Sequence, residues 1–139
     1  MRTFEVQSLE IQTPFGPAFD YIADPQNLPE WTHAFASVRG GGAMMRTSAG
    51  TVEVALEVTA SRDSGTIDWK IVFPDGQAAR AWSRLVPHGD GRAIYSFVLP
   101  APPVPLERLE GALAEQATVL TSELAMLARV LERRVEAPA

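Results

Sequence analysis

Strict alternation of apolar and polar positions dominates the middle of the chain and predicts β-strands. Apolar side chains take every second position from Val52 to Val58 and again from Ile67 to Phe73. A turn-forming segment at 61–65 separates these runs, and two further strands, 78–86 and 92–99, flank a Gly/Asp-rich turn. Period-two patterning joined by short turns is typical of an antiparallel meander, because sequential strands then pair directly.

The first strand carries a change of phase. Phe4 and Val6 share one parity, whereas Leu9 and Ile11 have the other. A bulge or bend near Ser8 would turn both pairs inward. Alternatively, this strand is buried on both faces at one end. The sequence leaves both interpretations open.

The last third of the chain has a helical period. One alanine and seven leucines recur at spacings of three and four, which is the apolar stripe of a helix: Leu106, Leu109, Leu113, Ala117, Leu120, Leu124, Leu127 and Leu131. A helix of about 30 residues spans roughly 45 Å. Its apolar face requires a partner layer, so we expect it to lie across the sheet. A proline-rich hinge precedes it, at Pro100, Pro102, Pro103 and Pro105.

Two short helices are predicted between the first strand and the meander. Pro14 and Pro17 suit the first turn of a helix, where the missing N–H has no partner to lose. The helix through Phe19 and Ile22 should end at Asp24, because a residue before proline avoids the helical region. At most another turn or two follows, up to the first tryptophan.

The segment from Pro14 to Trp31 resembles the corresponding segment of START-like proteins. This SRPBCC superfamily includes polyketide cyclase/dehydrase proteins, lipid-transfer domains and the major birch pollen allergen. The resemblance implies an α+β helix-grip fold: a curved antiparallel sheet of about six or seven strands, two short helices after strand 1, and a long C-terminal helix packed across the sheet. It also implies one domain over residues 1–139, with an apolar cavity between sheet and helix that holds a small hydrophobic or amphipathic ligand.

Composition narrows the classes of partner and chemistry. The net charge is −5 with a single lysine, Lys70, and scattered arginines, so nucleic acid is not expected as a partner. The chain has no cysteine, and its two histidines, His33 and His88, lack metal-ligand spacing. We expect neither a metal nor a cofactor. Apolar runs fall short of the ~20 residues of a membrane span, and no signal-peptide pattern opens the chain, which predicts a cytoplasmic protein.

Candidate ligand-binding residues combine large apolar surface with a few polar atoms, which is the usual lining of a small-molecule site. The predicted set is Trp31, His33, Met45, Trp69, Phe73, Tyr95, Phe97, Leu113 and Ala117. Trp69 and Tyr95 are the preferred pair, since each lies in mid-strand and carries a polar atom that can orient a guest. Small residues in the first half of the last helix would leave space above the sheet. Close packing of that helix onto the sheet is the alternative.

An enzyme similar to polyketide aromatase/cyclases is the rival hypothesis. Tyr95, His33 and Arg80 would then move protons or stabilise an enolate. Arg80 shares one strand face with Trp82 and Arg84, and that face either binds a ligand anion or is solvated. Surface arginine is the commoner condition, which favours the solvated face.

Two further possibilities concern partners. A START-like domain with a collapsed cavity would serve as a protein-interaction module. Val119 and Met126, with Ala112 and Val130 nearby, are placed by helical spacing on the side away from the leucines, where they would mark a homodimer contact. The sequence names neither the ligand nor the reaction, if one is catalysed.

Overall fold

A computed structural model describes residues 2–47, 50–101 and 106–136, with the backbone alone described at 106–108, 110, 135 and 136. The elements follow the predicted order. They are β1 (Phe4–Ile11), α1 (Phe15–Ala23), a 3₁₀ turn (Pro25–Asn27), α2 (Leu28–Trp31), β2 (Phe35–Arg39), β3 (Gly42–Thr47), β4 (Gly50–Ser61), β5 (Thr66–Val72), β6 (Ala78–Pro87), β7 (Ala93–Pro100) and α3 (Leu106–Glu136).

One antiparallel sheet of seven strands has the order β1-β7-β6-β5-β4-β3-β2. Strands β2 to β7 form the predicted meander, each paired with the next, and β1 closes against β7. The long helix α3 packs against β1 and α2, and buries the leucines of its second half. The α+β helix-grip architecture expected from the sequence is therefore confirmed.

The face of β6 that the sequence left open is now assigned. Ser83 and Leu85 are buried on the inner side, whereas Arg80, Trp82 and Arg84 are exposed on the outer side. The solvated-face interpretation of the two arginines is therefore correct. Arg84 donates from Nε to the carbonyl oxygen of Ser64 at 3.2 Å, which ties it to the β4–β5 turn.

Strand β1 contradicts both interpretations of its change of phase. It pairs with β7 in unbroken register from Phe4 to Ile11, so this strand has no bulge. Phe4 and Val6 face solvent, at 47% and 50% exposure, so the strand is not buried on both faces either. The inward positions at this end are polar, and Gln7 is among them.

Helix α3 explains why a polar side chain is tolerated on the inner face of β1. Gln7 Nε2 donates to the carbonyl oxygen of Ala117 at 2.9 Å, and Gln7 Oε1 accepts from the Thr121 hydroxyl at 3.1 Å. Both ends of the amide are thereby satisfied, as a half-buried polar group requires. The bonds fasten β1 to the middle of α3.

The short helices begin and end close to the predicted positions. Pro14 is the cap of α1, and Asp24 caps the following 3₁₀ turn by accepting the N–H of Gln26 at 3.0 Å. Pro100 ends β7, while the other predicted hinge residues (Pro102, Pro103 and Pro105) lie outside the described residues. No helix of the described chain combines the length and apolarity needed to cross a membrane.

Candidate functional site

A half-open cavity of about 760 Å³ lies between the sheet and the first half of α3. Its walls come from α2, the α2–β2 connection, the end of β3, the inner face of β5 to β7, and α3. This volume falls within the range of small-molecule sites, roughly 300–1,000 Å³. The second half of α3, in contrast, closes onto the core with Leu124, Leu127 and Leu131.

The sheet supplies an apolar and aromatic wall. Trp69 of β5 and Phe97 of β7 lie with ring centroids 5.5 Å apart at an interplanar angle of 30°. Ala81, on β6 between them, pairs directly with Trp69 and carries only a methyl group. The sheet thus contributes one small side chain and two large aromatic ones to this part of the cavity wall.

Helix α3 supplies a mixed wall. The lining residues recur at spacings of three and four, and they include two carboxylates and one amide: Ala112, Glu115, Gln116, Val119, Leu120 and Glu123. One side of the cavity is therefore apolar and the other carries polar groups. An amphipathic occupant matches this division.

The rim joins α3 to the α2–β2 connection through Glu123. Its carboxylate accepts the backbone N–H of His33 at 2.6 Å. Burial raises the pKa of the Glu123 carboxyl, while the N–H groups of His33 and Ala34 lower it in part. Arg46 of β3 completes the rim by donating from Nη1 to the carbonyl oxygen of His33 at 3.0 Å. Two separate elements, α3 and β3, thus meet at one short segment of backbone.

Several buried polar atoms of the cavity wall lack protein partners. Trp31 Nε1, Trp69 Nε1 and Gln116 Oε1 find no hydrogen-bond partner within the described residues. All three side chains line the cavity, and the two tryptophans are only 4% and 6% exposed. Such atoms are uncommon in native proteins, because a buried polar group without a partner destabilises the fold.

Five of the nine predicted ligand-binding residues lie at the cavity: Trp31, His33, Met45, Trp69 and Phe97. The structure does not bring Phe73, Tyr95, Leu113 or Ala117 to it. Phe73 follows the end of β5, where its N–H donates to Gln77 in a turn. Ala117 is on the side of α3 that faces β1, and Leu113 is buried one turn before it on the same side.

Tyr95, one of the two preferred residues, is fully buried in the closed part of the core. It pairs with Leu9 on one side and Leu85 on the other, and packs edge-on against Phe97. Burial strongly raises the pKa of its hydroxyl. The nearby Ser83 hydroxyl donates to the carbonyl oxygen of Ile67 at 2.6 Å. The Tyr95 hydroxyl has no partner in hydrogen-bond geometry within the described chain, although the adjacent Ser83 hydroxyl lowers its pKa in part.

The three residues proposed for catalysis do not converge. Tyr95 is in the core, Arg80 is on the outer face of β6, and His33 alone is at the cavity rim. The sheet separates Arg80 from the cavity, because successive side chains of a strand point to opposite faces and Ala81 is the one that lines it.

The helix residues of the site were missed by reasoning from sequence. Val119 and Ala112, interpreted from the sequence as part of a dimer contact, line the cavity, and Val119 is also 39% exposed, whereas Val130 packs against the core. Met126 stays exposed. The available signal was the spacing of Ala112, Gln116, Val119 and Glu123 beside the leucine stripe. Within the described residues, no group of three acidic or histidine side chains is arranged to hold a metal.

Comparisons with known proteins bear on the fold. No family model and no curated protein matches the sequence. Among solved structures, similarity extends to the di-domain ARO/CYC protein BexL, with a TM-score of 0.74 and 15% identity over 99% of this chain and 48% of that one. A START superfamily protein from Mycobacterium smegmatis has a TM-score of 0.66 and 13% identity over 95% and 99%.

A third similar structure is the Zhui aromatase/cyclase from a Streptomyces species. Its TM-score is 0.68 at 10% identity, covering 95% of this chain and 94% of that one. At identities this low, the similarity shows a shared backbone fold and does not extend to the chemistry of the site. The chain has the START-like helix-grip fold. This conclusion agrees with the element order, the single antiparallel sheet, the packing of α3 and the similarity to these structures.

Proposed function

We propose that this protein binds a small hydrophobic or amphipathic molecule in the cavity between the sheet and α3. The observation that carries the proposal is a cavity of about 760 Å³ walled by Trp69, Phe97 and Ala81 on one side and by mixed residues of α3 on the other. Apolar walls with a few polar groups are the usual lining of ligand sites. Burial of an apolar guest contributes roughly 25 cal/mol per Å² of surface removed from water, before the losses on association are subtracted.

The rim supports an amphipathic guest over a purely apolar one. His33, Arg46 and Glu115 are exposed at the mouth, whereas Trp69 and Phe97 are buried at the sheet. A molecule with an apolar body and a polar end would thus keep its polar end near water.

The collapsed-cavity alternative, a protein-interaction module, is not favoured, because the cavity is open. An aromatase/cyclase-like enzyme stays the second candidate. Its support is the likeness in backbone to BexL and the Zhui aromatase/cyclase, together with titratable side chains of His33 and Glu123 at the rim. General acid–base catalysis needs such a group beside the substrate. Tyr95 and Arg80 are not part of that candidate site.

A matched pair of substitutions tests binding in this cavity. Ala81→Phe places a ring in the cavity beside Trp69, and Ala55→Phe adds the same atoms on the exposed side of β4. We expect Ala81→Phe to abolish binding of an apolar fluorescent dye and the retention of any co-purified molecule in native mass spectrometry. Ala55→Phe should leave both unchanged. Equal binding by the two variants would place the ligand elsewhere.

Overpacking can itself unfold a domain, so a second variant keeps the test decisive. Ala112→Leu narrows the cavity from the helix side by less volume. Circular dichroism establishes that each variant is folded before binding is measured. A folded Ala112→Leu protein with undiminished affinity for every ligand of the unmodified protein would contradict the proposal.

A further inference from the structure

Strand β1 has a free edge, because it is the outermost strand of the sheet and pairs with β7 alone. The N–H of Ala101 donates to the carbonyl oxygen of Thr3 at 2.8 Å, so these two residues form a hydrogen-bonded pair of the ladder. In an antiparallel ladder such pairs alternate with unbonded ones. The N–H and C=O groups of Phe4, Val6 and Ser8 therefore point away from β7, toward the free edge.

The side chains of the protein cover little of this edge. Arg2 Nε donates to the Phe4 carbonyl oxygen at 2.9 Å, and the same guanidinium forms an ion pair with Glu5. Within the described residues, no side chain bonds to the main chain of Val6 or Ser8. A row of backbone groups left open in this way is a template for another strand.

The two edges of the sheet differ in how well they are protected. Strand β2, at the far edge, has five residues, and its register shifts between Phe35 and Ser37. Short strands and bulges are common means by which proteins prevent edge pairing. Strand β1 has eight residues in unbroken register, and its Phe4 and Val6 side chains are exposed. The edge of β1 is therefore the one suited to pairing.

The sequence of β1 is complementary to itself when two copies run antiparallel. With Val6 opposite Val6 of the second copy, Phe4 lies opposite Ser8 and Arg2 lies opposite Glu10. Opposite charges and apolar side chains that face each other across two strands stabilise the pair. This register places an apolar pair at the centre and an ion pair at each end.

The neighbouring registers are less favourable. A centre at Glu5 brings two carboxylates face to face, and like charges in that position destabilise a strand pair. A centre at Gln7 places Phe4 opposite Glu10, where the carboxylate loses hydration beside an apolar ring. Each copy carries a net charge of −5, so contact between copies requires local complementarity. A second copy in the register centred on Val6 supplies it.

Helix α3 leaves room for the second copy. The bonds from Gln7 to Ala117 and Thr121 place this part of α3 beside β1. Joining two β1 strands brings the two α3 helices side by side, and small side chains permit their close approach. Next to Thr121, on the side away from the leucines, the side chains are small and exposed: Ala114, Thr118 and Ala125.

We propose that β1 is a homodimer interface, in which the free edges of two copies pair antiparallel about a two-fold axis at Val6. The same surface is used by both copies, as a two-fold contact requires. The two seven-stranded sheets then form one continuous sheet. Phe4 of each copy exchanges N–H···O=C bonds with Ser8 of the other.

Arg2 changes partner when the dimer forms. The Ser8 N–H of the second copy replaces the Arg2 side chain at the Phe4 carbonyl oxygen. The released guanidinium reaches Glu10 of the second copy, which within its own copy already contacts Arg92 at 3.3 Å. One carboxylate between two guanidinium groups thus closes each end of the interface.

Sedimentation equilibrium over a range of protein concentrations tests the interface. We expect a monomer–dimer equilibrium for the unmodified protein. Val6→Glu places two carboxylates at the axis and should raise the dimer Kd at least about tenfold. Met126→Glu adds the same charge at an exposed apolar position of α3 and should leave the dimer Kd unchanged. Circular dichroism establishes that both variants are folded.

Two results would overturn the inference. One is an unmodified protein that stays monomeric at every concentration up to its solubility limit. The other is a dimer that Met126→Glu dissociates and Val6→Glu leaves intact, since the interface would then lie on α3. The described cavity lining includes no residue of β1, so dye binding by Val6→Glu should match that of the unmodified protein. The proposed function is therefore tested separately.

A single introduced cysteine tests the register, because the chain has no cysteine of its own. In the proposed register the two Cα atoms at position 6 lie about 5.5 Å apart, within the range of a disulfide. The two copies of residue 8 are offset by roughly 13 Å along the strands. Under mild oxidation, Val6→Cys should form a covalent dimer at least about tenfold faster than Ser8→Cys. Equal rates, or faster coupling of Ser8→Cys, would contradict the proposed pairing.

Discussion

Glu123 of α3 accepts the backbone N–H of His33 at 2.6 Å, so a half-buried carboxylate joins the long helix to the rim of the cavity. The neighbouring Arg46 holds the carbonyl oxygen of the same residue. Donor and acceptor of one peptide segment are therefore each taken by a side chain of a different element. The position of the rim relative to α3 depends on this arrangement.

Glu123 should make the free energy of unfolding depend on pH. Burial raises its pKa in the folded protein above the ordinary value of 4.5. Between these two pKa values the folded state binds more protons than the unfolded state, so this group's contribution to the free energy of unfolding falls as pH rises. Urea unfolding of the unmodified protein and of Glu123→Gln at several pH values measures it.

The difference in stability between Glu123→Gln and the unmodified protein should shift in favour of the variant as pH rises above about 4.5. Glu132→Gln is the comparison for loss of a carboxylate on the same helix, since Glu132 also accepts a backbone N–H, from Gln12. A difference that is independent of pH for Glu123→Gln would refute the role of burial.

Gln7 should stabilise the fold through its two bonds to α3. Replacing it with alanine leaves the Ala117 carbonyl oxygen and the Thr121 hydroxyl without this partner. We expect a loss of about 1–2 kcal/mol in the free energy of unfolding, measured in urea. Gln12→Ala is the control, because within the described residues the Gln12 side chain bonds to Glu10 on the surface and not to α3. Equal effects of the two substitutions would show that the contact with α3 contributes nothing.

Tyr95→Phe should leave ligand binding intact. The Tyr95 hydroxyl is buried without a partner in the described chain and lies outside the cavity lining. Its removal relieves the desolvation of an unpaired group, so the free energy of unfolding should stay the same or rise by up to about 1 kcal/mol. Thermal unfolding and dye binding measure the two effects. A loss of binding would show that Tyr95 contributes to the binding site.

Gly65 should tolerate no side chain. Its φ is +74°, and a Cβ there would lie 2.0 Å from the carbonyl oxygen of Leu85. Gly76 has a similar φ of +88° but open space around it. We expect Gly76→Ala to cost about 1 kcal/mol from backbone strain alone, and Gly65→Ala about 3 kcal/mol or more because the clash adds to it. Similar losses in both would mean that the turn can move away from β6.

The periodicity of the sequence was sufficient to predict the strands, because the pattern of one buried face is set by positions that are neighbours in the sequence. The alternation from Val52 to Val58 and from Ile67 to Phe73 predicted β4 and β5, since a strand with one buried face requires that pattern. The polar end of β1 was not predictable in this way. Gln7 is satisfied by residues more than a hundred positions away, and a local pattern contains no record of them.

The site was predicted less well for a related reason. Trp69 and Tyr95 both point inward from mid-strand, yet one lines the cavity and the other fills the core. What distinguishes them is the size of their neighbours in the sheet, since Tyr95 lies between Leu9 and Leu85, whereas Trp69 pairs with the small Ala81. Gln116 and Glu123 escaped notice because polar residues beside a leucine stripe usually face solvent.

The single methyl group of Ala81 has a consequence for diversification. Its strand is paired along its length with β5 and β7, so the main chain there is fixed whatever side chain it carries. Exchanging that one residue for valine or leucine would narrow the proposed binding cavity step by step, while the main-chain groups of β6 keep their ladder partners. A change at one side chain of β6 would therefore alter the size of the cavity while the pairing of the strand with both neighbours is kept.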